Sequence, residues 1–193
     1  MNMKTKRIAG IGIFAAIVVV LQTLATFIQF GPFSVTLVLV PIVIGAAVYG
    51  AGAGAVLGGV FGVVVLTMTI TGADPGGHML WLANPLATAA VIMLRGVLAG
   101  GAAGLIFRAF SKKSRMLGVV LAAIVCPIVN TGLFLGAMYV IFPDFLEMWA
   151  DGATAVYFLF IGLAGVNFLI ELGINIALSP TIVRILAVAG KRG

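Results

Sequence analysis

Apolar residues along the chain come in long runs rather than in a period of two or 3.6, and short polar or glycine–proline punctuation separates them. The first run extends from about Ile8 to Ile28 and stops at Gly31-Pro32. A second goes from Ser34 to Tyr49, a third from Gly54 to Thr71, a fourth from Leu86 to Phe107 and a fifth from Met116 to Ile141. The sixth begins near Val156 and meets Ser179-Pro180, where a proline is expected to kink or end a helix. The tail to Gly193 then reads as a short interfacial helix. Runs of about 20 apolar residues are what an α-helix needs to cross a hydrocarbon core. The pattern therefore predicts an all-α membrane protein with six transmembrane helices. Between the runs lie a tight Gly50-Ala51-Gly52-Ala53 turn, a polar stretch from Gly72 to Pro85, a basic loop from Arg108 to Arg115, and an acidic loop with Asp144, Glu147 and Asp151.

Composition narrows this further. Of 193 residues, 63% are hydrophobic and 8% charged, where a soluble domain carries about 25% charge. Such a chain cannot cover a water-facing surface. The single Cys126 excludes a disulfide scaffold. With the length taken up by six crossings, residues 1–193 read as one integral-membrane domain without a separate nucleotide-binding domain. The first run is not expected to be a cleaved signal, because no polar domain follows it.

The charges orient the chain. Alternating crossings put Lys4, Lys6, Arg7, Arg108, Lys112, Lys113, Arg115, Arg184, Lys191 and Arg192 on one side, which is ten of the eleven lysines and arginines. Asp74, Asp144, Glu147 and Asp151 fall on the other. The positive-inside rule then makes both termini cytoplasmic. The net charge of +6 is thus a topology signal, and no nucleic-acid partner is implied.

Glycines recur every four residues, Gly54, Gly58 and Gly62 on span 3 and Gly96, Gly100 and Gly104 on span 4. Small residues at that spacing let helix backbones approach, and packing within the chain is the first expectation for both stripes. Span 1 carries a related small pair, Gly12 and Ala16.

Two charges remain inside the apolar runs, Arg95 and Glu171. An ionisable group there is costly unless it is paired or functional. Helical rise places Arg95 about 14 Å below the outer end of span 4 and Asn130 about 17 Å below that of span 5. Asn167 and Glu171 fall at about 15 and 21 Å on span 6, and with Asn175 they form one polar stripe. One reading is an Arg95–Glu171 ion pair with asparagines tying helices together. The other is a polar cavity open to the outside, in which Arg95 offers a fork of donors to a carboxylate or amide. A substrate group competing for a pre-existing pair would satisfy both.

The outer loops supply lid material: Asp74-Pro75-Gly76-Gly77-His78-Met79-Leu80-Trp81, then Asn84-Pro85, with Phe27, Gln29, Phe30 and Phe33 around the first turn. Trp149 reads as an interfacial anchor. His78 is the only histidine, so a multi-imidazole metal site is excluded and no metal is expected. The sequence contains no G-x-x-x-x-G-K-[ST], no H-E-x-x-H and no G-x-S-x-G, which argues against an enzyme and against a motor within the chain.

Pro41 to Ala46 through Tyr49-Gly50, Gly54 to Gly62, Asn84-Pro85-Leu86, Arg95-Gly96 and Asn167 to Gly173, taken in that order over six short spans, resemble the substrate-binding S component of an energy-coupling factor (ECF) transporter. The resemblance implies a subunit of a bacterial cytoplasmic-membrane importer that captures a vitamin or related micronutrient at the outer face. It implies partners: a transmembrane coupling subunit and two cytoplasmic ATPase subunits that use the ATP, with no cofactor in this chain. Members of the family carry Ala-x-x-x-Ala on span 1 as the contact with the coupling subunit, and Gly12 and Ala16 occupy those positions here. Family binding sites map onto Phe33, Trp81, Asn84, Arg95, Asn130, Asn167 and Glu171. Arg95 with the asparagines suits pantothenate-like or folate-like cargo, and riboflavin is a further possibility that the aromatic residues allow. From another class comes a stand-alone proton-coupled secondary transporter using Arg95 and Glu171.

Overall fold

The computed structural model describes residues 3–25, 29–30, 33–34, 37–150, 154, 157 and 165–190. Of the predicted features, Phe27, Asp151, Val156, Lys191 and Arg192 lie outside the described residues, as do the side chains of Phe33 and Asn167. Eight helices are described: α1 (Met3–Ala25), α2 (Leu39–Tyr49), α3 (Ala51–Thr71), α4 (Pro75–Ala83), α5 (Pro85–Phe110), α6 (Arg115–Ile141), α7 (Pro143–Ala150) and α8 (Gly165–Gly190). One antiparallel pairing joins Gln29–Phe30 (β1) to Phe33–Ser34 (β2).

Five of these helices, α1, α3, α5, α6 and α8, are long and apolar enough to cross a membrane. The second apolar run differs from expectation. Its helix has 11 residues, about 17 Å of rise, against a hydrocarbon core of about 30 Å. Residues Leu39 to Ala46 of α2 are all buried, and α1, α3, α5, α6 and α8 all contact it. A helix apolar on every face is stable only when enclosed, so α2 is the centre of the core. Gly50 ends it at φ +92°, a left-handed conformation, with its N–H donating to the Ala46 carbonyl at 2.9 Å.

Two further expectations are corrected. Pro180 does not end the last helix, which is continuous from Gly165 to Gly190, so the expected separate interfacial helix is its last part. Transmembrane helices tolerate proline where neighbouring groups satisfy the freed carbonyl. The polar stretches also contain helices. Asp74 caps α4 and Pro75 occupies its first turn, while Pro143 opens α7 with Asp144 in its first turn.

The two glycine stripes pack on each other. A Cβ added at Gly54 would overlap the Gly100 carbonyl and one at Gly100 the Gly54 carbonyl; Gly58 and Gly96 stand in the same reciprocal relation. Gly104 abuts Ala51, and Gly62 meets Met93 and Ile92. The paired numbers rise on α3 as they fall on α5, so the helices are antiparallel with their backbones in contact. The expected packing within the chain is what the stripes do. On α1 the small pair behaves differently: nothing among the described residues lies within 4 Å of a Cβ built on Gly12, and Ala16 is exposed. The opposite face of α1 meets α2, where Gly10 abuts the Tyr49 ring, Phe14 packs edge-on to it, and Arg7 Nη2 donates to the Tyr49 carbonyl at 2.9 Å.

Charge is segregated between the two ends of the bundle. Arg7, Arg108, Lys112, Lys113, Arg115 and Arg184 belong to the end where α1 starts and α8 finishes, and Asp74, Asp144 and Glu147 to the other. At the acidic end a second apolar cluster of Leu80, Leu135, Met138, Phe142 and Leu146 fastens α4 and α7 onto α6.

Gly58→Ala is expected to destabilise the protein by about 1–3 kcal/mol, because the methyl meets a backbone carbonyl that cannot rotate away. Gly136→Ala, where a Cβ meets nothing within 4 Å, is expected to fall within about 0.5 kcal/mol of wild type. Thermal unfolding of both variants in the same detergent checks the pair.

Candidate functional site

Arg95 lies on α5 ten residues beyond Pro85, about 15 Å along the helix. Its guanidinium carbon is 5.2 Å from the centroid of the Phe134 ring on α6 and 6.0 Å from that of Phe61 on α3. The Nε of Arg95 is buried and has no hydrogen-bond partner among the described residues. Gly96, the next residue, faces α3 in the glycine seam, and Phe61 Cδ1 would lie 3.2 Å from a Cβ there. The seam therefore fixes which way Arg95 points, across the Phe61 ring and toward α6.

Arg95 lines a small cavity at the acidic half of the bundle. Thr88, Val91 and Ile92 accompany it on α5, three to four residues apart on one helix face, and Phe134, Ala137, Met138 and Phe142 come from α6 and its end. Thr69, Asp74, Gly77 and Leu80 close it from α3 and α4. The volume is about 30 Å³, room for one or two waters.

The closing segment is built by local hydrogen bonds. Gly72 turns the chain at φ +79°, and the Asp74 carboxylate then accepts from the Gly77 N–H at 3.3 Å as the N-cap of α4. Thr69 Oγ1 donates to the other Asp74 oxygen at 3.5 Å, and His78 Nδ1–H donates to the Thr69 carbonyl at 2.9 Å. Gly77 has no room for a side chain, since a Cβ would overlap the Asp74 carboxylate. Asp74 is half-buried, and burial raises its pKa above the ordinary 3.8; the Gly77 hydrogen bond, the charge of Arg95 and the Thr69 hydroxyl act in the opposite direction.

Of the carboxylates near Arg95, Asp74 lines the same cavity and Glu171 does not. The sequence offers an Arg95–Glu171 pair as one reading and places Asp74 on the outer side in the lid segment, without bringing it to Arg95. Asp74-Pro75 is an N-cap followed by a proline in the first helical turn. Read as the start of a helix rather than as a turn, it would have placed Asp74 on a short element folded back against span 4.

The other expected site residues are distributed unevenly. Asn130 is buried on α6, one turn deeper than Phe134, and its Oδ1 has no partner among the described residues. Glu171 is buried on α8 and acts on both Arg95 and Cys126. Below it Asn175 Nδ2 donates to the Glu171 carbonyl at 2.8 Å and Ser179 Oγ to the Asn175 carbonyl at 3.0 Å, while Asn175 Oδ1 is buried without a partner among the described residues. Asn84 is exposed and caps α5 by accepting from the Ala87 N–H at 3.0 Å. Trp81 is half-buried on α4, and neither it nor Asn84 lines the cavity. Trp149 stacks edge-on against Phe145 at 6.0 Å. Thr69, Thr88, Phe61 and Phe134 were not anticipated; the four-residue step from Asn130 to Phe134 was the available signal for one of them. Among the described residues no group of three His, Cys, Asp or Glu converges as metal ligands would.

A family model described as "ECF transporter, substrate-specific component" matches residues 6–183. None of the curated proteins and none of the solved structures matches the chain.

A folded-state pKa above the unfolded value means that protonated Asp74 stabilises the fold. That contribution is complete below about 3.8 and is lost as pH rises through the raised value. Asp74→Asn keeps a capping oxygen and removes the titration. Wild type is therefore expected to gain in melting temperature relative to Asp74→Asn as pH falls through that window. A difference independent of pH would contradict the assignment.

Proposed function

The chain belongs to the ECF transporter substrate-specific components, multi-pass membrane subunits of transporters rather than enzymes, and we propose that its cargo is held by Arg95. The observation that carries this reading is a guanidinium deep in an apolar bundle, over two aromatic rings, with a buried Nε–H that nothing among the described residues accepts. A carboxylate or amide of a ligand would complete its hydrogen bonding, and the rings would cover a flat or apolar portion. Asn130 Oδ1 and, about 10 Å nearer the acidic end of α5, Thr88 Oγ1 are also buried without a partner among the described residues. Glu171 and Asn167 are proposed to extend the same site from α8, with Phe33, Trp81 and Asn84 at its mouth. This chemistry suits a pantothenate-like or folate-like vitamin, with riboflavin a further candidate.

Ligand pockets usually enclose about 300–1,000 Å³, far more than the cavity above Arg95. Entry therefore requires α4 to move, and the Gly72 turn at one end and the Asn84 cap at the other are the places where it can. Asp74 is the internal competitor for Arg95: an anionic cargo would take its place and let the carboxylate leave with α4.

The acidic end is proposed to face outward and the cationic end the cytoplasm, in keeping with the positive-inside rule. Both termini would then be cytoplasmic in a bacterial membrane. The chain carries no cofactor in this reading. Inward delivery is driven by ATP on two ATPase subunits through a membrane coupling subunit, and the exposed Gly12–Ala16 face of α1 is the docking surface for that subunit.

Mass spectrometry of small molecules carried through purification is expected to identify a carboxylate- or amide-bearing vitamin. Arg95→Ala should lose at least about thirty-fold in affinity for it while still inserting, as expected when a charged hydrogen-bonding partner worth about 2–5 kcal/mol is removed. Undiminished affinity would remove Arg95 from the site. Uptake by this chain alone, collapsed by an uncoupler and indifferent to ATP, would instead favour a proton-coupled secondary transporter.

Gly12→Leu with Ala16→Leu should abolish co-purification with a coupling module and leave ligand affinity unchanged, because nothing among the described residues lies within 4 Å of a Cβ at Gly12 and Ala16 is exposed. Retained association would move the docking surface elsewhere.

A further inference from the structure

A second cavity, of about 450 Å³, opens at the opposite, cationic end of the bundle. Its floor is apolar: Ala47 and Val48 from the end of α2, Phe107 from α5 and Leu186 from α8. Its rim is Ser111, Lys112 and Arg115, from the α5–α6 turn and the first residue of α6. None of the lining residues is an aspartate or glutamate, and the two rim cations are exposed. The turn is held by its own backbone, with the Ser111 N–H donating to the Phe107 carbonyl at 2.8 Å and the Ser114 N–H to that of Phe110 at 3.2 Å. Lys112 and Arg115 are thereby held over the floor at the level where the long apolar helices end.

The occupant that matches is an anion with an apolar tail attached. We propose that this cavity binds an anionic phospholipid of the surrounding bilayer. The phosphate meets Lys112, Arg115 and the Ser111 hydroxyl, and the first methylenes of an acyl chain cover Phe107, Val48 and Leu186. Basic pockets between transmembrane helices at a membrane face are suited to anionic headgroups, each nearby cation adding to the attraction. A free phosphate would use the rim and leave the apolar floor wet, whereas a zwitterionic lipid would bring its own cation to two others. Phe107, in its floor, is twelve residues or about 18 Å along α5 from Arg95, and the site does not depend on what the cargo is.

The test uses the full chain in a neutral detergent, offered equal amounts of phosphatidylglycerol and phosphatidylcholine, with retained lipid counted by native mass spectrometry. Phosphatidylglycerol is expected to be retained over phosphatidylcholine by about five-fold or more. The double variant Lys112→Gln with Arg115→Gln should lose about ten-fold of that retention, and the charge-preserving pair Lys112→Arg with Arg115→Lys should keep it. Lys113→Gln, an exposed neighbour outside the cavity, should leave it unchanged. Equal retention of the two lipids, or a loss in Lys113→Gln as large as in the double variant, would overturn the site. Displacement by millimolar inorganic phosphate would overturn the lipid in favour of a free phosphate ion.

Discussion

Backbone contact between α3 and α5 is the constraint from which the rest follows. Lipid offers no hydrophobic drive for two apolar helices to associate, so the gain comes from close packing over a long seam. Gly54, Gly58, Gly96 and Gly100 provide that seam because none of them has an atom to place in the gap. The seam has a direction as well as a strength. With Gly96 turned to α3, Arg95 must project to the side, across Phe61 and toward α6, and Thr88 and Ile92 line up behind it on the same face. A packing feature thus decides where the one deep cation of α5 points.

The energetics around that cation favour a purpose beyond packing. Placing an arginine at the centre of a membrane helix costs about 3 kcal/mol on insertion scales. Two rings at 5.2 and 6.0 Å contribute on the order of 1 kcal/mol each, which does not offset the cost. The charges of Asp74 and Glu171 also act in its favour through space. Asp74 is itself raised by burial, and its oxygens are already occupied with the Gly77 N–H and the Thr69 hydroxyl. Asp74 is therefore only partly available to Arg95, which is in keeping with the proposal that a cargo group takes its place.

Much of this was legible from residues alone, for reasons that differ by feature. The glycine stripes could be read because a four-residue repeat of the smallest residue has few other uses in an apolar helix. Arg95 could be read because charge inside an apolar run stands out against its surroundings. The length of the second helix was not legible, since hydropathy reports apolarity and not where along an apolar run a helix starts. At Pro180 the expected end of the helix does not occur, and the helix runs on to Gly190, as proline inside a transmembrane helix allows. Asp74 was missed because its effect on Arg95 depends on the α4 cap and on a fold-back across 21 positions, and sequence spacing does not display either.

The polar stripe on α8 has a mechanical meaning. Asn175 and Ser179 direct their donors to carbonyls of their own helix rather than across to α6 or α2. A helix tied to its neighbours by hydrogen bonds is a fixed strut, because sliding it would strand each bond in hydrocarbon. One that carries its own acceptors behaves as a piston rod, keeping those two bonds whatever its position relative to the helices around it. Those two bonds therefore set no register for α8 against its neighbours, just as the Thr23, Thr67 and Thr71 hydroxyls, bonded within their own helices, set none for α1 and α3.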